Sequence, residues 1–429
     1  MVRQLDIAES GNTRWIVSQE GSRETYAVPV SFHRQGALRL MYTDIWWPWC
    51  RSLMKHGGAG TRALATRFNP EIPPERVVSF TPYATFWRAN RHLRRLSPDR
   101  DTLSGEFCSF GRWLALHVRG HIENIELDPE RDHFFGFNSN CLETLELLKE
   151  RNIFTVVDQV DPGLVEENIV VEEAERWPGW EGIPGRMSQA YWDRVKAEWT
   201  VANLVLVNSD WSRDALVRQR VPFEKIIVVP LAIDSTAGHS STPINPTGPL
   251  KVLWLGSVIL RKGIQYLVEA ARKLERHKVE FLLVGPVGIS EQAIRSFPAN
   301  IKMIGRVTRD QLSLHYRQAH VFVLPTLSDG FAITQLEAMS HGLPVIATPN
   351  CGRVVTDGVD GLIVPARDAA ALADALGRLN NDRDLLRAMS SNALLTASKF
   401  NLSSHGRLIQ QSVAELRAKR RNHSLSIHA

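Results

Sequence analysis

Short apolar runs alternate with helix-period stretches along most of the chain, the pattern of βαβ units and parallel sheets. In the first half, RWIVSQEG reads as a strand ending at Gly21. A helix through SRETYAVPVSFHRQG and a strand LRLMYTDIW follow. HFFGF, CLETLELLKERN and FTVVDQVDPG continue as strand, helix and strand, and a long helix runs on to near Trp199. ANLVLVNSD and KIIVVPLAID close this half; VNSDWSRDALVRQ reads as a strand, a Ser/Asp cap and an amphipathic helix.

The second half repeats the rhythm more cleanly. LKVLWLGS is a strand, KGIQYLVEAARKLE a helix, VEFLLVGPVG and IKMIGRV strands, and TRDQLSLHYRQA a capped helix. VFVLP, PVIAT and GLIVP are further strands, and DAAALADALGRLNND is a helix. Between VFVLP and PVIAT lies DGFAITQLEAMSHGL, predicting a helix from near Phe331 with Ala332, Leu336, Met339 and Leu343 on its core face. Gly342 and Pro344 end it.

Between the halves, DSTAGHSSTPINPTGP breaks the pattern and reads as a linker. The expected organisation is therefore α/β, with two doubly wound, Rossmann-like domains over 1–234 and 250–400, joined by 235–249 and followed by a helix over 401–420. Ligands of such sheets sit at the C-terminal ends of the strands. A length of 429 residues agrees with two domains.

Net charge is +5 with a pI near 9.1, an excess that suits an anionic ligand or a membrane surface and is too small to argue for nucleic acid. Four cysteines lie far apart with no CxxC and no Cys/His cluster, which predicts a reduced compartment and no structural zinc. No signal-peptide core and no membrane-spanning apolar run is read, so a cytoplasmic setting is expected.

The stretch DGFAITQLE places Asp329 at the mouth of the predicted helix and Glu337 inside it. A helix start at a strand's C-terminal edge seats anions, and Gly330 lets a ligand approach the backbone. Carboxylates beside that seat suit sugar hydroxyls rather than phosphate. Spacing alone favours ordinary capping, since such acid pairs are common at capped helix starts.

WLGSVILRKGIQYLVEAARKL, FLLVGPVG, IKMIGRVTRDQLSLHYRQAHVFVLP, DGFAITQLEAMSHGLPVIATP and CGRVVTDGVDGLIVP occur in this order over roughly Leu250 to Arg378. The series resembles the retaining nucleotide-sugar glycosyltransferases of family 4, which have the GT-B fold, two domains facing a central cleft. The resemblance is thinner in the first half. There Gly21 stands where the family has a glycine-rich loop, and LVLVNSDWSRDALV…VPFEKIIVVPLAID is similar to its last unit. FNLSSHGRLIQQSVAELRAKR looks like the helix that crosses back to the first domain.

The resemblance implies a metal-independent transfer of a sugar from a nucleoside-diphosphate donor to a carbohydrate or lipid-linked acceptor, with no cofactor. On it, Lys262 binds the donor diphosphate and stabilises the leaving group. Asp329 contacts the donor sugar, where the family commonly has the longer Glu, and Glu337 holds the ribose. Backbone N–H groups of Phe331, Ala332, Ile333 and Thr334 face sugar and phosphate, and Arg306 lies near the base. Ser257 stands where the family usually has a phosphate-binding arginine, and Arg261 is the candidate substitute.

Many relatives carry a histidine after the strand that is FTVVDQVDP here; this chain offers Asp158, Gln159 and Asp161. Asp161 or Gln159 then stabilises the transition state or orients the acceptor, or caps a loop. His133 reads as structural. DRD occurs at Asp99–Asp101 and Asp382–Asp384, where helix capping explains it. DIWWPWCRSLMKHGG and FWRANRHLRRL mix aromatic and basic residues, as a membrane-surface patch does, or core tryptophans beside solvated arginines. Two other readings stay open: a nucleotide-sugar-binding protein without turnover, and a sugar phosphorylase on the same fold.

Overall fold

The structure is a computed structural model that describes residues 13–49, 54, 58, 61, 64–94, 100–182, 186–234 and 248–427. Two wholly parallel sheets form it, of seven and six strands. The first holds β1 (Arg14–Gln19), β2 (Leu38–Thr43), β3 (Val77–Ser79), β4 (Asp132–Phe137), β5 (Phe154–Gln159), β6 (Leu204–Val207) and β7 (Ile226–Val228), in the order β3-β2-β1-β4-β5-β6-β7. The second holds β8 (Leu250–Leu255), β9 (Val279–Val284), β10 (Ile301–Gly305), β11 (Val321–Leu324), β12 (Val345–Ala347) and β13 (Gly361–Ile363), in the order β10-β9-β8-β11-β12-β13. Strand order reverses between β1 and β4 and between β8 and β11, so each sheet opens a crevice at the C-terminal ends of those strands.

Helices cover both faces, and β4, β5, β6 and β11 are buried end to end as the apolar runs require. Trp15 stacks on Phe32 at 4.6 Å in the first core. Trp254, Phe281 and Leu267 fill the second.

Three local expectations give way to packing. The helix expected through SRETY starts only at Ala27, because Glu24, Thr25 and Tyr26 adopt left-handed backbone, with φ of 48°, 57° and 67°. That turn delivers the Tyr26 ring edge-on to Trp46 inside the core, at 5.5 Å. The long helix before Trp199 is two, Leu164–Arg176 and Gln189–Val201. Trp177 and Trp180, which follow the first of them, pack against the core of the second domain. The helix expected near Phe331 begins at Thr334, since Asp329 Oδ1 accepts the N–H groups of Phe331 (3.3 Å) and Ala332 (2.9 Å) and Ala332 turns to φ 61°.

The linker lies outside the described residues apart from its last positions, as do Asp99 and most of the stretch after Trp49. Asp382 caps its helix, accepting from Leu385 N–H at 2.8 Å. Leu402–Ile427 forms one helix that runs back along the first domain. Arg417 donates to His133 Nε2 at 2.8 Å, and burial together with Arg417 pushes that imidazole down to about 4, so His133 is a neutral structural group. Among the described residues no helix is long and apolar enough to cross a membrane.

Candidate functional site

The turn after β8 carries both cations of RKG. Gly263 closes it in left-handed conformation (φ 73°), and a Cβ there would stand 1.8 Å from the Pro325 carbonyl oxygen. Only glycine lets this turn lie against the loop that follows β11. Lys262 Nζ consequently reaches Asp329 Oδ2 in an ion pair. Arg261 Nη1 donates to the Ser328 carbonyl at 2.9 Å and pairs with Glu166 Oε1 at 3.1 Å.

Asp329 is held on both oxygens, by Lys262 on one and by two backbone N–H groups on the other. Burial pushes its carboxyl upward, but Lys262 and Arg261 win and hold it below the usual carboxylate range. Gly330, next in the chain, touches the first domain: a Cβ there would stand 2.0 Å from the Val160 carbonyl oxygen. The first domain adds Ser212 Oγ, which donates to the Gly330 carbonyl at 3.4 Å, and Trp211 Nε1, which donates to Ser328 Oγ at 3.1 Å.

Glu337 accepts from Tyr316 Oη at 3.0 Å, and the Tyr316 ring stacks on His341 at 4.8 Å. It lies on a wall of a cavity of about 240 Å³ between the domains, whose lining includes Glu24, Thr25, Tyr316, Ile333 and His341. Thr334 is half-buried beside it, and Phe331 is buried with its N–H on Asp329.

Other sequence candidates lie apart from this cluster or serve it indirectly. Ser257 is exposed just past Gly256 at the end of β8, and Arg306 is exposed after Gly305, the last residue of β10. Gly21 (φ 72°) turns within its own domain, donating to Asp44 Oδ1 at 2.8 Å. Gln159 is buried: it accepts from Trp199 Nε1 at 2.9 Å and donates to Asp161 Oδ1 at 2.9 Å. Asp161 Oδ1 also accepts from Gly163 N–H at 2.9 Å, so this oxygen caps the loop that presses on Gly330.

Two groups escaped the sequence reading. Glu166 lies on the helix Leu164–Arg176 of the first domain yet binds the second, accepting from Ser328 Oγ at 2.9 Å as well as pairing with Arg261. Burial pushes its carboxyl up to about 7 against the pull of Arg261, with Asp161 and Asp329 adding to the rise. Glu24 is the other, and it lies with Asp158, which was a candidate from the sequence. Glu24 Oε2 and Asp158 Oδ1 are sealed from solvent without a hydrogen bond among the described residues. Burial raises both acids, Glu24 to about 7, and Arg23 only partly offsets it. Neither group carries a local signal, because sequence spacing shows no contact made across domains or across the sheet.

The fold and the paired crevices define a two-domain α/β protein of GT-B type. HepE of Anabaena, solved with UDP and glucose, superposes with a TM-score of 0.59 at 15% identity, covering 94% of this chain and all of that one (100%). Sucrose-phosphate synthase of Thermosynechococcus elongatus superposes with a TM-score of 0.63 at 18% identity, covering 95% of this chain and 100% of its own. Residues 249–382 match the family model described as glycosyl transferases group 1. D-inositol 3-phosphate glycosyltransferase of Nocardia farcinica is 32% identical over 202 residues, 42% of this chain and 45% of that protein. Alpha-D-kanosaminyltransferase of Streptomyces kanamyceticus is 31% identical over 172 residues, 36% and 43% of the two chains. The matched region thus spans about half the length of these relatives or less.

Proposed function

We propose that this protein is a retaining glycosyltransferase, moving a sugar from a nucleoside-diphosphate sugar to a hydroxyl of a glycan, glycolipid or other glycoconjugate without a metal ion. The observation that carries the reading is the Arg261–Lys262–Gly263 turn, which sets two adjacent cations against the Asp329 loop at the interdomain crevice. In this reading the cations hold the diphosphate and stabilise the departing nucleoside diphosphate. Asp329 faces the sugar, and Glu337, on the wall of the interdomain cavity, takes the ribose hydroxyls. Closure of the domains about the Gly330 contact excludes water. Asp161 lies on the loop facing that contact, and the acceptor enters from the first domain.

The names of the relatives support a glycosyl donor, and the UDP in the HepE structure supports a nucleotide one. Exposed Trp49, Tyr83 and Phe86 on the first domain support contact with the membrane surface that carries a lipid-linked acceptor, at the cytoplasmic face.

Incubation with UDP-, GDP-, ADP- and dTDP-sugars, with and without chelator, tests the reading. Slow release of nucleoside diphosphate from one donor, unchanged by chelator, is expected, with the donor's anomeric configuration kept in the product. Binding without release would make the protein a nucleotide-sugar-binding protein. Phosphate-dependent release of a sugar 1-phosphate from a disaccharide would make it a phosphorylase.

A further inference from the structure

Each cation of the RKG turn is held by an acid, but the two acids are built differently. Asp329 comes from the same domain as Lys262 and is fixed by two backbone N–H groups in addition to the ammonium. Glu166 comes from the other domain and holds Arg261 and the Ser328 hydroxyl through its side chain alone. Arg261 is anchored separately by the Ser328 carbonyl, so it stays in place when Glu166 lets go. A diphosphate that uses Arg261 competes with the Glu166 carboxylate for the same guanidinium.

We infer that Glu166 is a proton-linked positioning residue, which yields Arg261 to the donor's diphosphate by taking up a proton and keeping its bond to Ser328. The inference rests on the donor-site reading above and names a control on it that the sequence does not contain.

The groups facing Glu166 make the direction definite. Arg261 approaches from the turn after β8, Asp161 from the loop after β5 and Asp329, with Lys262 on it, from the loop after β11. With Glu166 ionised, three carboxylates surround two cations, and an incoming diphosphate adds more negative charge. Protonating one carboxylate removes that conflict. Asp329 is held below the usual range and stays ionised, whereas burial places Glu166 at about 7, so Glu166 is the acid that changes state near neutrality. A protonated Glu166 keeps an oxygen for Ser328 and loses only its claim on Arg261.

Donor binding then takes up a proton. Affinity is highest below pH 7 and falls as pH rises through it, by about tenfold between pH 6 and pH 8 if the donor complex keeps Glu166 protonated. The probe is the nucleotide sugar that the donor panel identifies, not its free nucleoside diphosphate, whose terminal phosphate itself titrates near 6. Titration calorimetry of the full chain in buffers of different ionisation heat should show uptake of a fraction of a proton near pH 7. Glu166→Gln should abolish that uptake, flatten the pH dependence and bind up to about tenfold tighter than wild type at pH 8. Arg261→Gln should bind more weakly and also lose the pH dependence.

A wild-type affinity that stays flat from pH 6 to pH 8, with Lys262→Ala still weakening binding at least tenfold, overturns the inference and leaves the donor site standing. Glu166→Gln weaker at every pH with the slope retained also overturns it, since Glu166 would then only brace the interface. If no nucleotide sugar binds the wild type at any pH, the donor-site reading falls and this inference falls with it.

Discussion

Replacing Gly330 by alanine isolates what the contact between the domains does. The position has no left-handed backbone requirement, so the added methyl acts only through what it meets. It would stand 2.0 Å from the Val160 carbonyl oxygen and 3.0 Å from its carbon, both backbone atoms with no rotamer to give way. Carbon–oxygen contacts settle at about 3.3–3.6 Å, so the two loops must part by roughly 1.3 Å. Four bonds span that joint: Trp211 to Ser328 (3.1 Å), Ser212 to Gly330 (3.4 Å), Ser328 to Glu166 (2.9 Å) and Arg261 to Glu166 (3.1 Å). A shift of that size takes most of them beyond hydrogen-bond reach, at about 1 kcal/mol each.

Neither domain core is touched, so the melting temperature should fall by only a few degrees. A misplacement of about 1 Å between the two sides of an active site costs on the order of a hundredfold in turnover. Nucleoside diphosphate release from the identified donor should therefore drop about a hundredfold in Gly330→Ala. Turnover within twofold of wild type would show that the cleft does not work through this joint.

Lys262→Ala and Glu337→Ala should each weaken donor use by roughly ten- to a hundredfold in steady-state kinetics, from lost charge-assisted bonds worth about 1.5–3 kcal/mol; unchanged donor kinetics in both would remove the site assignment. Glu173 is buried between the domains, accepting from Gln265 (2.9 Å) and Tyr266 (3.0 Å) and pairing with Arg367 at 2.6 Å. Glu173→Ala leaves Gln265 and Tyr266 without their buried acceptor, while Arg367 keeps Glu172 at 2.8 Å, and should cost about 2 kcal/mol in urea unfolding, with a shallower or split transition as the domains uncouple. Burial holds His405 neutral, down at about 4 against an ordinary 6.5. The unfolded chain therefore binds the extra proton first, and this histidine's contribution to stability is complete above pH 6.5 and is lost as pH falls towards 4. Denaturation midpoints of His405→Asn should vary less than wild type across that window.

The two parallel sheets and most of their strands could be read from the chain, as could the turn carrying Lys262 and the loop carrying Asp329, though the strand Val77–Ser79 and the helices Thr81–Arg94 and Arg100–Ile122 could not. Apolar runs four to six residues long leave little choice but buried parallel strands. RKG and DGFAITQLE are local signals whose residues stay local once folded. Glycine does the same at Gly263, where the turn lies too close to Pro325 for any side chain.

The start of the helix at Thr334 rather than Phe331 was not legible, because an Asp329 carboxylate that takes two N–H groups competes with the helix for them. Nor was the left-handed turn at Glu24–Tyr26, which exists to bury a ring against Trp46. Most of all, the sequence was silent on Glu166. Its helix has acids throughout its first turns, and nothing in their spacing says which one crosses the domain boundary. Which charges meet across a cleft depends on how two separately folded sheets pack, and that packing is settled by surfaces drawn from distant parts of the chain. The sequence alone thus determined the two sheets and the basic turn; the tertiary structure decided which acids hold that turn, and therefore which of them a donor has to displace.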